Sequence, residues 1–232
     1  FGDKTTSELS AVLDELIAQN PKGIIIDLRN NGGGYLQTSI EVASEFIDKG
    51  VILYEQYGDG SRDTFNALGN GRATDLPIVV LINEGSASAS EILAGALQDY
   101  GRAKLVGVLS YGKGSVQQWI PLSDDNGAAR VTVAKWLTPK ERAIDGVGLT
   151  PDFVVELTED DAANNRDPQL DKAVEVLLDL IAGKEPNVVA RRSVATTKQP
   201  PQCVGDCFVA RCATRNDISS RRRIKCFSTQ RI

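Results

Sequence analysis

Histidine is absent from this sequence of 232 residues. Its absence excludes histidine-based catalytic triads and dyads, histidine proton shuttles and metal sites with imidazole ligands. Any activated nucleophile must therefore be served by a lysine, a carboxylate or a terminal amine. The sequence also lacks a run of about 18 consecutive apolar residues, so we expect no membrane-spanning segment.

Methionine is absent as well, and the first residue is Phe1. We therefore expect an excised or truncated chain, in which the lack of a signal peptide carries no information about the compartment. Apolar residues make up 41% of the chain and charged residues 25%, which is ordinary for a globular protein. The length is sufficient for a domain that folds around its own core.

Charge is distributed unevenly along the chain. Residues 1–186 contain 16 basic and 29 acidic residues, whereas residues 187–232 contain 10 basic and 2 acidic ones. The acidic excess of the first part argues against nucleic acid as its partner. The sequence thus predicts a globular core over 1–185 and a basic tail over 186–232. We expect this tail to be disordered, because its apolar residues are sparse and follow no period.

All four cysteines lie in this tail, at Cys203, Cys207, Cys212 and Cys226. They include no C-x-x-C pair, so a zinc site has little support. If the protein is exported, the four cysteines could form two disulfides, whose pairing the sequence does not reveal. An unusual appendage and a misread reading frame would both account for the abrupt change in composition.

Hydrophobic periodicity predicts an α/β fold in a single domain without internal repeats. The segment LPIVVLI is apolar on both faces, as is typical of a buried parallel strand. The predicted helices cover residues 7–19, 36–48, 88 onward and 169–183, and the predicted strands cover residues 23–28, 51–56, 76–82, 105–108, 116–121 and 129–137.

Three serines stand where this apolar strand gives way to a helix, at Ser86, Ser88 and Ser90. The first turn of a helix offers unbonded N–H groups and the positive end of the helix dipole. An oxyanion formed by attack on a carbonyl would find donors already directed at it. Serine is also a preferred helix cap, so a capping role is the alternative for each of the three.

Lys113 lies between two glycines in a turn that joins two apolar strands. Flanking glycines allow a tight turn that could hold the amine near the protein interior. A lysine acts as a general base only when its amine is neutral, and a dry site near a helix N-terminus favours that form. A surface lysine with no catalytic role is the alternative.

Two other patterns receive less weight. Ser110 and Lys113 form the only S-x-x-K in the chain, the spelling of penicillin-recognising enzymes. That chemistry requires the pair on one helix, whereas this segment is flanked by predicted strands. The glycines of RNNGGG could bind phosphate, but no lysine follows them at the spacing of a P-loop.

Four segments together resemble the carboxyl-terminal processing peptidases, the tail-specific Ser/Lys proteases of the S41 type. They are IIIDLRNNGGG, INEGSASASEILAGAL, SYGKGSVQQ and KWLTP with GVGLTPD, and the resemblance covers about residues 1–182. It implies a crotonase-like (ClpP-like) core of mixed sheet and helices. It also implies that Ser88 is the nucleophile and Lys113 the general base, and that no metal or organic cofactor is needed.

The third member of the site differs between branches of the family. The resemblance offers Gln117, four residues after the lysine, or Asp99, eleven residues after the serine. On a straight helix Asp99 lies about 16 Å from Ser88, so it could reach only the lysine. We favour Gln117, because an amide orients an amine without favouring its charged form, as a carboxylate would.

The oxyanion hole implied by the resemblance uses the backbone N–H of Ala89 and a glycine N–H of RNNGGG. Gly33 and Gly34 are the two candidates, and counting residues does not separate them. The same three glycines would also suit a plain turn at the end of a strand.

The resemblance implies a serine endopeptidase that cleaves proteins near exposed C-terminal tails, outside the cytoplasm: in the periplasm, cell envelope or thylakoid lumen. Family members carry a PDZ domain upstream of the core, which here would precede Phe1. Two alternatives are an inactive peptide-binding fragment or relative and a crotonase-like acyl-CoA enzyme. The acidic body, with no basic patch for the CoA phosphates, argues against the second. The oligomeric state stays open.

Overall fold

The computed structural model describes residues 1–69, 71–122 and 127–186, together with the backbone of one strand at 207–211. In chain order the elements are α1 (Thr5–Ile17), β1 (Gly23–Asp27), α2 (Leu36–Ser44), β2 (Val51–Tyr57), β3 (Arg62–Asn66), β4 (Ile78–Ile82), α3 (Ala89–Asp99), β5 (Ala103–Gly107), β6 (Ser115–Pro121), β7 (Ala128–Leu137), β8 (Phe153–Val154), α4 (Glu159–Ala163), α5 (Pro168–Ile181) and β9 (Cys207–Arg211).

A parallel sheet with the strand order β8-β5-β4-β1-β9 forms the centre of the fold. Every residue of β1 and β4 is buried, because helices cover both faces of the sheet. Ile24 and Ile26 join a core cluster with α1, α2 and α3, whereas Ile25 packs with α5 on the opposite face. This alternation is the period of two that a strand imposes. The predicted α/β class is confirmed.

A second sheet is antiparallel, with the strand order β3-β2-β7-β6. Strand β6 begins at Ser115, two residues after Lys113, and β5 ends at Gly107. Lys113 therefore lies in the segment that connects the parallel sheet to the antiparallel sheet. Strand β3 lies in a stretch for which the sequence predicts no strand, because its sequence RDTFN is polar and exposed. Pairing with β2 stabilises this strand in the structure.

The structure describes one segment of the basic tail. Cys207–Arg211 form β9, which pairs in parallel with β1. An apolar segment, FVA, meets the edge of a buried strand there, and pairing satisfies backbone groups that the edge would leave open. Cys203, Cys212 and Cys226 lie outside the described residues. None of the helices in the described part of the chain combines the length and apolarity needed to cross a membrane.

Candidate active site

Ser88 occupies the position immediately before α3. Its φ is 57° and its ψ is −119°, a conformation that costs a residue with a side chain about 1–3 kcal/mol. The side chain is 5% exposed, and the preceding Ala87 lines a surface cleft. A strained serine at a helix N-terminus has its neighbours' amide groups close to its hydroxyl, so the turn is suited to a nucleophile.

Glu91 fixes this turn from the first turn of α3. Its carboxylate is 1% exposed and accepts four hydrogen bonds. Oε2 accepts from the backbone N–H of Ser88 at 2.9 Å and from that of Lys113 at 2.8 Å. Oε1 accepts from the N–H of Gly112 at 2.7 Å and from the Ser110 hydroxyl at 2.5 Å. We call these five residues the carboxylate clamp.

The clamp brings the two sequence-predicted reactive residues together. Because the backbone nitrogens of Ser88 and Lys113 both bond one oxygen, they lie no more than about 6 Å apart. The two residues are 25 positions apart in the sequence and belong to separate elements. A serine hydroxyl and a lysine amine are thus carried on neighbouring backbone segments at the start of α3.

Lys113 and Gln117 line the same cleft, which has a volume of about 520 Å³. Lys113 is half-buried and Gln117 is exposed. Within the described residues the Lys113 ammonium forms no ion pair. The cleft is lined by Ala87, Tyr111, Gly112, Lys113, Ser115, Gln117, Arg130 and Asp145.

The glycine loop after β1 packs directly on the serine turn. A Cβ atom on Gly33 would lie 2.6 Å from the Ala87 carbonyl oxygen and 2.7 Å from the Ala89 nitrogen, so only glycine fits. The Asn31 carbonyl accepts from the N–H of Ala87 at 3.0 Å and from the Ser90 hydroxyl at 2.9 Å. Of the two sequence-predicted glycine donors, Gly33 therefore lies directly against Ser88, whereas Gly34 lies against the backbone of Phe1.

The amide groups of this loop are not equivalent. The Gly33 N–H donates to the side-chain oxygen of Asn31 at 3.0 Å. Among the hydrogen bonds of the described residues, the N–H groups of Gly34 and Ala89 have no acceptor. The Ala89 N–H, next to Ser88, is thus available to bind an oxyanion, whereas Gly33 would first have to release Asn31.

Asp99 lies at the opposite end of α3 and has other partners. Its carboxylate forms an ion pair with Arg142 at 2.6 Å and accepts the backbone N–H of Lys140 at 2.9 Å. These contacts fix the turn after β7. The structure therefore gives Asp99 a structural role, and Gln117 is the residue that shares the cleft with Lys113.

Ser86 and Ser90 use their hydroxyls to hold loops. Ser86 Oγ donates to the Leu28 carbonyl at 2.8 Å, and Ser90 Oγ binds Asn31. The Ser110 hydroxyl also makes two structural hydrogen bonds, since it donates to Glu91 and accepts from the N–H of Leu149 at 2.7 Å. The S-x-x-K pair formed with Lys113 does not lie on a helix.

Two residues that sequence reasoning missed support the site. Glu91 follows Ser88 by three positions, the spacing of a capping box, which was the available signal. Arg29 precedes the glycines and bonds Asp27 and Asp167 with its side chain almost fully buried. Burial lowers the pKa of Arg29, but the hydrogen bonds that it donates to Asp27 and Asp167 and the charges of those carboxylates outweigh burial, so the pKa is raised and the guanidinium stays charged.

Comparison of the chain with known protein families yields a match that covers the site. The model of peptidase family S41 matches residues 1–155. The chain belongs to peptidase family S41. The resemblance noted from the four motifs is thereby confirmed.

Several relatives of this S41 chain are known. A carboxyl-terminal-processing protease of Synechocystis sp. is 44% identical over 183 residues, which cover 79% of this chain and 42% of the relative. The chloroplastic carboxyl-terminal-processing peptidase 2 of Arabidopsis thaliana is 45% identical over 153 residues, covering 66% of this chain and 30% of the relative. The chain thus spans less than half the length of either relative.

A solved structure agrees with these relatives. The photosystem II D1 C-terminal processing protease superposes with a TM-score of 0.65 at 38% sequence identity, over 67% of this chain and 40% of that protein. The arrangement of sheets and helices in this S41 chain is therefore that of a processing protease core.

Proposed function

We propose that this chain is the catalytic core of a serine endopeptidase that cleaves proteins near their C-termini. Ser88 is the nucleophile and Lys113 the general base. One observation carries the proposal: the buried Glu91 carboxylate holds the backbones of these two residues within about 6 Å of each other. The relatives, named as carboxyl-terminal-processing proteases, support the choice of substrate.

Peptide hydrolysis follows from these positions. Lys113 Nζ takes the proton of Ser88 Oγ as that oxygen attacks the scissile carbonyl carbon, and the N–H groups of Ala89 and the glycine loop bind the resulting oxyanion. The lysine ammonium then gives its proton to the leaving amine. A water molecule, activated by the neutral lysine, hydrolyses the acyl-enzyme ester and releases the serine. Gln117 orients the amine without favouring its charge.

Active-site labelling tests the nucleophile and the base. We expect a fluorophosphonate to label the chain on Ser88, and we expect Ser88→Ala and Lys113→Ala to abolish labelling and peptide turnover. Ser61→Ala and Lys140→Ala are the matched controls, since both residues are exposed and lie outside the cleft. Turnover that survives Lys113→Ala would exclude lysine as the base. Labelling that survives Ser88→Ala would exclude Ser88 as the nucleophile. A wild-type chain that neither reacts with the probe nor cleaves peptide would favour a non-catalytic or acyl-CoA-binding function.

The position of cleavage is tested on a protein substrate with an extended C-terminal tail. We expect mass spectrometry of the products to show cuts within that tail, as the names of the carboxyl-terminal-processing relatives indicate for those proteins. Cuts distributed evenly over an unfolded substrate would contradict the preference for C-terminal regions.

We also propose that the protein works outside the cytoplasm, in a periplasm, cell envelope or thylakoid lumen. A chloroplastic relative and relatives from bacteria support this placement. Fractionation of the source cells with an antibody against this chain tests it, and recovery with cytosolic or stromal markers would contradict it.

A further inference from the structure

Ser110 is buried at the junction between β5 and the lysine turn, with 5% of its surface exposed. Its hydroxyl donates to Glu91 Oε1 at 2.5 Å and accepts the backbone N–H of Leu149 at 2.7 Å. Its own N–H donates to the Leu149 carbonyl at 3.2 Å. The serine therefore joins the carboxylate clamp to the loop that contains Leu149.

Ser110 differs in kind from the other three donors to Glu91. Ser88, Gly112 and Lys113 donate through backbone amides, which no substitution except proline removes. Ser110 is the one side-chain donor among the four. The orientation of the carboxylate thus depends on a hydroxyl that the single substitution Ser110→Ala removes.

Loss of this hydroxyl would act on Lys113 through Glu91. Oε1 would keep only the Gly112 amide, and the Leu149 N–H would lose its acceptor inside the protein. Oε2 of the same carboxylate holds the Lys113 turn against Ser88, so a rotation of the carboxylate displaces the turn. A misplacement of about 1 Å at a reacting group costs on the order of a hundredfold in rate.

We propose that Ser110 is a positioning residue of the peptidase, whose hydroxyl fixes the Glu91 carboxylate and thereby the separation of Ser88 and Lys113. This inference rests on the proposed function. It assigns the serine of the S-x-x-K sequence a role in which the hydroxyl never leaves its two partners and forms no bond to substrate.

Ser110→Ala, Ser110→Thr and Ser110→Cys test the role through kcat and KM for a fluorogenic peptide. We expect Ser110→Ala to lower kcat about tenfold to a hundredfold with KM changed less than about threefold, because the hydroxyl does not touch substrate. Ser110→Thr keeps the hydroxyl and should restore kcat to within about threefold. Ser110→Cys, whose thiol is a weak donor, should give an intermediate kcat.

Ser44→Ala is the matched control. Ser44 is also buried, donates to the Ile40 carbonyl at 2.7 Å and accepts the Leu68 N–H at 3.0 Å, but it lies on α2 and contacts no member of the clamp. We expect Ser44→Ala to lower the free energy of unfolding as Ser110→Ala does, while leaving kcat unchanged. An equal loss of kcat in both variants would show that Ser110 acts only through stability.

A double-mutant cycle with Glu91→Ala, which removes the hydrogen-bond partner of the Ser110 hydroxyl, separates positioning from packing. Once the carboxylate is replaced, Ser110→Ala should lower kcat by less than about threefold further, because the hydroxyl acts through that carboxylate. Full additivity, or wild-type kcat in Ser110→Ala or Ser110→Cys, would overturn the inference. Its failure is distinguishable from failure of the proposed function, since Ser88→Ala would still abolish turnover.

Discussion

Replacement of Glu91 is the sharpest test of how the site is assembled. Glu91→Ala leaves four donors without their acceptor at a buried position. Each unsatisfied buried donor costs about 1–3 kcal/mol, and water entering the space left by the side chain offsets part of this. We therefore expect the free energy of unfolding to fall by about 3–5 kcal/mol, which a typical domain survives.

Catalysis should suffer more than stability. Among the hydrogen bonds of the described residues, loss of the carboxylate leaves the Lys113 turn tied to the serine turn by the bond from the Tyr111 N–H to the Ser86 carbonyl, which does not involve Ser88 or Lys113. We therefore expect kcat to fall at least about a hundredfold. Peptide turnover measures this fall, and urea unfolding followed by circular dichroism measures the stability. The rate of fluorophosphonate labelling should fall in parallel, because it also depends on activation of Ser88.

Glu91→Gln should be milder, for a reason visible in the geometry. If the amide nitrogen replaces Oε1, the Ser110 hydroxyl can accept from it, whereas the Gly112 N–H and the proton of that hydroxyl lose their acceptor. The remaining amide oxygen still binds the N–H groups of Ser88 and Lys113. We expect a fall in kcat of about tenfold.

The control for this series is Glu45→Gln. Glu45 is buried like Glu91 but binds Arg72, far from the glycine loop. Its replacement should lower stability and leave kcat intact. Wild-type kcat in folded Glu91→Ala would refute the idea that the carboxylate positions the reactive pair.

Three further predictions concern other parts of the molecule. Gly33→Ala should abolish turnover, since its φ is +92° and a Cβ would strike the serine turn, whereas Gly60→Ala, at a φ of +88° with open space, should cost stability only. Peptide turnover should rise from pH 6 toward pH 9, because Lys113 must be neutral; a flat profile would contradict the base assignment. Burial raises the pKa of Glu55, aided by the charge of Asp63, so folding favours the protonated acid. Stability from this group is lost as pH rises, and Glu55→Gln should therefore raise the free energy of unfolding at pH 7 but not at pH 4.

The central sheet could be predicted from sequence because it rests on local signals. Strands β1 and β4 are uninterrupted apolar runs, and the order of strands and helices along the chain already indicates an α/β fold. Strand β3 and the pairing of β9 with β1 could not be predicted. Both depend on a partner strand elsewhere in the chain, and the segments involved are too polar or too short to identify themselves.

The residues of the site, like the elements of the fold, were predictable where a local sequence motif identifies them. Ser88, Lys113 and the glycines are recognisable by residue type and motif. The preference for Gln117 over Asp99 follows from the chemistry of an amide and a carboxylate, but the actual partners of Asp99 are visible only in the structure. Asp99 binds Arg142, a residue 43 positions away that no spacing rule connects to it.

Glu91 shows why a local pattern can be correct and still incomplete. A glutamate three residues after a serine satisfies the N–H at the start of a helix, and Glu91 does this for Ser88. One such bond leaves most of the acceptor capacity of a carboxylate unused, and burial makes unused capacity costly. Ser110, Gly112 and Lys113, which lie in the connection between β5 and β6, donate the other hydrogen bonds to this carboxylate. The group that ends the helix is therefore also the group that assembles the site, and it must remain a buried carboxylate because no neutral side chain accepts from four donors at once.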